Sequence, residues 1–138
     1  MLEMSKLHNS TLQSTKLTHH RLKILAEMAQ TSEDHVSRLA LSLSIADGPI
    51  ESNFSPEFLP HEKTLQLNNS EKQLRGKTLF KEDLILFVSA LLQKETPEDY
   101  SQLRSLIIAH WERGIEILTE RSLQHQDWLE VVASCLKD

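Results

Sequence analysis

The chain has 138 residues, with fifteen Lys plus Arg against twenty Asp plus Glu, a formal net charge of −5, 39% hydrophobic residues and a single cysteine. That length is one domain's worth and holds a core without covalent staples, and the aliphatic content is too high for a disordered chain. One cysteine excludes a disulfide framework and any zinc site built on two or more thiolates, and the acidic balance argues against a general nucleic-acid coat.

The first eleven residues are polar at their start and read as a loose terminus. Leu12 to Leu17 alternates weakly and is rich in Thr and Ser, which suits a short strand or extended arm. Leu22, Leu25 and Met28, widened by Ile24 and Ala29, predict a first helix capped by Thr18 and running to about Gln30. Thr31-Ser32-Glu33-Asp34 is a restart, with a hydroxyl cap and then carboxylates in the first turn. The helix that follows carries Val36, Leu39, Ala40 and Leu43 on one face, and Asp47-Gly48-Pro49 ends it with a left-handed glycine cap. Residues 49–71 read as a long linker-like loop, anchored by Phe54, Phe58 and Leu59, with Leu65-Gln66-Leu67 as a short extended piece.

A third helix, opened by Thr78 or Lys81, spans Glu82 to Gln93; it is apolar nearly all round, which predicts deep burial. Thr96-Pro97-Glu98-Asp99 opens a fourth helix to about Arg121, with Leu103, Ile107, His110, Gly114 and Ile117 on one face and Leu106, Trp111 and Leu118 beside it. A short amphipathic helix, Asp127 to Leu136, closes the chain with Trp128, Leu129 and Val132. The expected fold is therefore one mainly α domain with a long central ordered loop. The longest apolar run, Leu84 to Leu92, is too short to span a bilayer, and Met1 to Lys6 has no apolar signal core, so a cytoplasmic location is expected.

Little in the chain points to catalysis. Arg75-Gly76-Lys77-Thr78 contains the letters of a phosphate loop, but the required earlier glycine is Glu71. His19 and His20 are adjacent and point apart on a helix. Cys135 has no base beside it, and Pro97-Glu98-Asp99 lacks the lysine of a nuclease signature. A non-enzyme with no metal and no cofactor is expected. The charge is uneven, however: between Met4 and Ala26 there are Lys6, Lys16, Arg21 and Lys23 and no acid. Those cations, with hydroxyls from Ser14, Thr15 and Thr18, are candidates for contacts to nucleic-acid phosphates, which position a protein without reading sequence. The alternative is a solvated basic face.

The order of landmarks resembles the DndE family of DNA phosphorothioation (sulfur-modification) proteins. An arm and helix precede Arg38-Leu39-Ala40-Leu41-Ser42-Leu43-Ser44; Thr78-Leu79-Phe80-Lys81-Glu82 is similar to the family's central motif; and His110-Trp111-Glu112-Arg113-Gly114-Ile115 looks like its His-x-x-Arg-Gly helix. The resemblance spans residues 12–121. It implies a small helical protein whose N-terminal half is ribbon-helix-helix-like. It also implies a homo-oligomer that binds DNA, nicked duplex in particular, alongside a cysteine desulfurase, a sulfurtransferase-like protein and an ATPase. By position, Lys16, Arg21 and Lys23 would carry the DNA contact; Arg38 matches a family arginine at the start of the second helix, with DNA contact or a structural salt bridge as its two readings. The chain departs from the family at Ala29-Gln30, at Ser32-Glu33-Asp34, which sets two acids where a phosphate would approach, and at Lys81.

The His110, Arg113 and Gly114 motif also has a physical reading. A mid-helix glycine costs about 1 kcal/mol relative to alanine, so a second helix is expected to cross closely there, with His110 and Arg113 bonding across it. A protein-interaction or scaffold module on the same fold is the competing function. The acids Glu33 and Asp34 and an exposed Trp111 or Trp128 are its motivation.

Overall fold

The computed structural model describes residues 4–136. Elements follow in the order α1 (Met4–Asn9), β1 (Thr11–Gln13), α2 (Lys16–Ala29), α3 (Glu33–Asp47), an irregular stretch with a single 3-10 turn at Pro60–Glu62, β2 (Gln73–Arg75), α4 (Gly76–Phe80), α5 (Leu84–Leu92), α6 (Tyr100–Ser122) and α7 (Trp128–Leu136). The protein is mainly α, with the long ordered central loop that its prolines and asparagines predict. Among the described residues no helix is long and apolar enough to cross a membrane.

The start of the chain is more ordered than its polarity suggests. Residues 4–9 form α1, and Leu7 is completely buried, so one apolar side chain ties this helix to the core; residues 1–3 of the expected loose terminus lie outside the described part. Ser10 Oγ hydrogen-bonds the Tyr100 hydroxyl at the start of α6. Helix α2 begins three residues earlier than expected. Thr15, not Thr18, is its cap and accepts from the Thr18 amide, while Thr18 is buried inside the first turn. It ends at Gln30, whose φ of 56° lets its amide reach back to Ala26. Ser32 caps α3 as the hydroxyl-acid signal predicts. Gly48 stops α3 with a φ of 112°, a positive value but with extended ψ rather than the left-handed helical cap.

The expected strand–helix–helix order is present, and its ribbon is closed within the chain. β1 pairs antiparallel with β2, in the register Thr11 to Arg75, Leu12 to Leu74 and Gln13 to Gln73. β2 was not expected, because three residues are too few for alternation to register. Leu65-Gln66-Leu67, expected to be extended, forms no strand. Leu12 and Leu74 point inward and the other four residues outward. Gly76 follows at once. A Cβ there would sit 1.6 Å from the Leu7 carbonyl oxygen, so this glycine serves the contact between α1 and α4 and is no phosphate loop.

The core is one cluster drawn from every helix and both strands, centred on α6, with Trp111, Phe80 and Leu41 among its fully buried members. Trp111 is therefore not an exposed docking residue. Asp99 caps α6 by accepting from Gln102, so Thr96-Pro97 precedes the helix instead of starting it. Helix α5 also departs from expectation: only Leu84, Val88 and Leu91 are buried, whereas Ile85 and Leu86 are 65% and 68% exposed. One side of it packs on the core, and nothing in the described chain covers the other.

Candidate functional site

Helix α6 is the hub of three buried polar networks, and these decide which residues remain for partners. The first lies at the entry to α2. Glu112 is 5% exposed, and its Oε2 accepts from the Thr15 amide at 2.8 Å and from the hydroxyls of Thr15 and Thr18 at 2.7 Å each. Three donors converge on one carboxylate oxygen and offset the cost of taking it out of water. Ser14 is also inward, donating to the Thr15 carbonyl and accepting from the Lys72 amide. The three hydroxyls expected to meet phosphate are thus consumed inside the protein.

The second network removes Arg21 from the surface. Arg21 is 1% exposed; its Nε and Nη2 fork onto Glu62 at 3.0 and 2.7 Å, Nη2 also donates to the Glu57 carbonyl at 2.6 Å, and Nη1 donates to Glu116 on α6 at 3.1 Å. Burial by itself lowers the guanidinium's pKa, but the hydrogen bonds and charges of Glu62 and Glu116 outweigh it and hold the pKa above its ordinary value. Burial likewise pushes Glu62 up, and the Arg21 hydrogen bonds bring it below the ordinary carboxylate value. This corrects the assignment of Arg21 to DNA contact: the fork pins the central loop to α2 and α6. It also replaces the expected aromatic anchors, since Phe58 is 43% exposed and Phe54 only half-buried. The signal was present in the sequence. Arg21 shares the inward stripe of Thr18, Leu22 and Leu25, and a basic residue on that stripe needs acids to meet it.

The third network is built on His110 and Arg113. His110 Nδ1 lies 2.8 Å from Ser44 Oγ, and its Nε2 lies 2.6 Å from Glu95 Oε2. Arg113 donates through Nε to Ser44 Oγ at 2.8 Å, through Nη2 to the carbonyls of Ser44 at 2.7 Å and Gly48 at 2.6 Å, and through Nη1 to Pro49 at 3.1 Å. With the ring neutral, a proton on Nε2 points to Glu95 Oε2 and leaves Nδ1 to accept from the Ser44 hydroxyl, which itself accepts from Arg113 Nε. Burial lowers the His110 pKa below 6.5 despite the Glu95 hydrogen bond, which keeps the ring neutral. Ser44, His110 and Glu95 have the residue types of a nucleophile triad, brought together from distant parts of the chain. Their arrangement does not suit that chemistry: Ser44 and His110 are both fully buried, and Arg113 occupies the serine oxygen that would attack. The network instead caps the carbonyl end of α3, and Glu95 Oε1 accepts from Ile50 to hold the turn beyond it.

Four basic side chains beside the ribbon keep their head groups outward. The solvent face of β1 and β2 carries Thr11, Gln13, Gln73 and Arg75, with no acid among them. Each strand runs into a helix with a lysine in its first turn, Lys16 on α2 and Lys77 on α4, both exposed. Because the strands are antiparallel, these lysines bracket opposite ends of the ribbon. Arg104 lies beside the Lys77 end and donates to the Thr11 carbonyl at 2.6 Å. Lys23 is exposed two turns along α2 from Lys16. Arg38, half-buried on α3, forms no ion pair among the described residues. Glu33, the acid expected to repel a phosphate, is itself met by Lys72 at 3.0 Å and His19 at 3.3 Å. Sequence reading missed Arg75, Lys77 and Arg104, because only the ribbon pairing brings them onto one ribbon with Lys16. Among the described residues no group of three or more His, Cys, Asp or Glu is placed to hold a metal ion.

Compared with family models, with curated proteins and with solved structures, the chain gives no match.

Proposed function

We propose that this protein is a DNA-binding accessory subunit of a bacterial DNA phosphorothioation system, without a catalytic site of its own. In this reading it grips duplex or nicked DNA by phosphate contacts and works beside the sulfurtransferase-like, ATPase and cysteine desulfurase components. The observation that carries the reading is the acid-free ribbon face, Thr11, Gln13, Gln73 and Arg75, bracketed by Lys16 and Lys77. Cations at both ends of a polar two-stranded face suit a charged backbone, and amide side chains between them suit hydrogen bonding to it. The resemblance of the chain's landmarks to the DndE family supplies the biological setting. The buried networks favour a non-catalytic role, because the one triad-like constellation is closed to substrate.

The test is binding of nicked and intact duplex across a salt series. Binding that weakens steeply with salt, and falls again in a combined Lys16→Ala, Arg75→Ala, Lys77→Ala variant, is expected. An absence of binding at low salt ends the reading.

The exposed apolar side of α5 favours a second reading, a protein-interaction module of the same system. Copurification with the other components without any DNA affinity would select it.

A further inference from the structure

We infer that the slot between α2, the central loop and the end of α6 takes an unpaired nucleobase of bound DNA; the inference rests on the DNA-binding reading above and adds a base site to its phosphate contacts. The slot holds about 210 Å³, below the range of about 300–1,000 Å³ usual for drug-sized ligands, which is room for one small ring system. Its walls are Ile24 and Leu25 of α2, Leu65 of the loop and Leu123 just past α6. Ile24 and Leu123 are more than half exposed at its mouth, whereas Leu25 is buried behind them.

The polar groups of the slot narrow the ligand. Arg21 and Glu62 are bonded to each other, and the hydroxyls of Thr119 and Ser122 donate to carbonyls of their own helix. Neither a free acid nor a free guanidinium is left inside. Two imidazoles, His20 and His61, line the slot and form no hydrogen bond or ion pair among the described residues. Apolar walls with two uncommitted imidazoles suit a flat neutral ring that stacks by its faces and hydrogen-bonds by its edge. The strand that carries such a ring has a track on the same helix. At 100° per residue Lys16 and Lys23 lie within about 20° of each other on α2, and His20 and Ile24 follow at about 40° and 80° from Lys16, on the way round to buried Arg21. The exposed cations thus run from the ribbon to the lip of the slot, and Glu27 ends the track one turn beyond Lys23. A base inside a duplex is stacked and paired, so the nucleotide that enters at least cost is one already unpaired, beside a nick or at an end.

Two nicked duplexes test this on the full chain. One carries a single unpaired adenine nucleotide beside the nick and the other an abasic residue at that position, so the phosphates are the same in both. The duplex with the base is expected to bind about tenfold more tightly, on the scale of stacking one base against a protein. Ile24→Ala combined with Leu123→Ala, both at exposed positions, is expected to abolish that difference, with an unchanged circular dichroism spectrum and unchanged affinity for fully paired duplex. Equal affinity of the wild type for the base and abasic duplexes overturns the inference while leaving the phosphate contacts standing, and this comparison needs no variant. A difference that survives the double truncation overturns it as well. Should neither duplex bind at low salt, the DNA-binding reading falls and this inference falls with it.

Discussion

A Cβ added to Gly114 would lie 1.9 Å from the carbonyl oxygen of Ala40. Helices α3 and α6 therefore touch backbone to backbone, and the only relief for any larger residue is to push the helices apart. Gly114→Ala is expected to destabilise the protein by about 2–3 kcal/mol, although alanine is the better helix former by about 1 kcal/mol. Urea unfolding followed by circular dichroism measures this, and a neutral or stabilising result would show that the helices have room to part.

Arg21 and Glu62 form a buried pair, so removing one partner strands the other. Arg21→Ala is expected to cost about 3–5 kcal/mol, while Arg21→Met combined with Glu62→Leu recovers most of that loss. The same double variant, once folded, should bind DNA as the wild type does, because Arg21 never meets solvent. A selective loss of DNA affinity in that variant would return Arg21 to the interface.

The neutral His110 makes stability depend on pH with a definite sign. Its folded pKa is depressed, so below pH 6.5 the unfolded chain takes up a proton that the folded protein refuses. The contribution is complete above 6.5 and is lost as pH falls toward the folded value. Stability is expected to drop between pH 7.5 and 5.5, and His110→Asn should flatten that slope while lowering stability overall. Thermal melts of both proteins across this window supply the comparison; parallel slopes would mean that other groups carry the dependence. Glu62 is depressed too, but its loss begins only below about 4.5, outside the window.

Lys16, Arg75 and Lys77 each add one cation to the ribbon strip. Replacing any one by alanine should weaken DNA binding for all sequences alike and reduce the slope of log affinity against log salt by about 1. An Arg75→Ala variant whose loss depends on base sequence would mark direct readout in place of phosphate contact.

Much of the architecture was legible because helix starts and periodicity are local. Ser32-Glu33-Asp34, the stop at Gly48 and the close crossing at Gly114 each follow from a few neighbouring residues. The site was less legible, because its groups meet only in space. The hydroxyls of Thr15 and Thr18 face a carboxylate from α6, Arg21 faces acids from the central loop and α6, and Ser44 and Glu95 reach His110 from two separate earlier segments. The basic window between Met4 and Ala26 was real as composition, yet the fold turns Arg21 inward and adds Arg75, Lys77 and Arg104 from later segments. Apolar content is a poor guide at α5, where a run hydrophobic on every side predicts a core helix although one side of it stays bare.

The closure of the ribbon by β2 also constrains how the protein is made. β1 and the entry to α2 are translated well before their partners, Gln73–Arg75 and Glu112. The early segments must wait without their hydrogen bonds until α6 has emerged. Cutting the gene within the central loop would accordingly yield two fragments that fold only when combined.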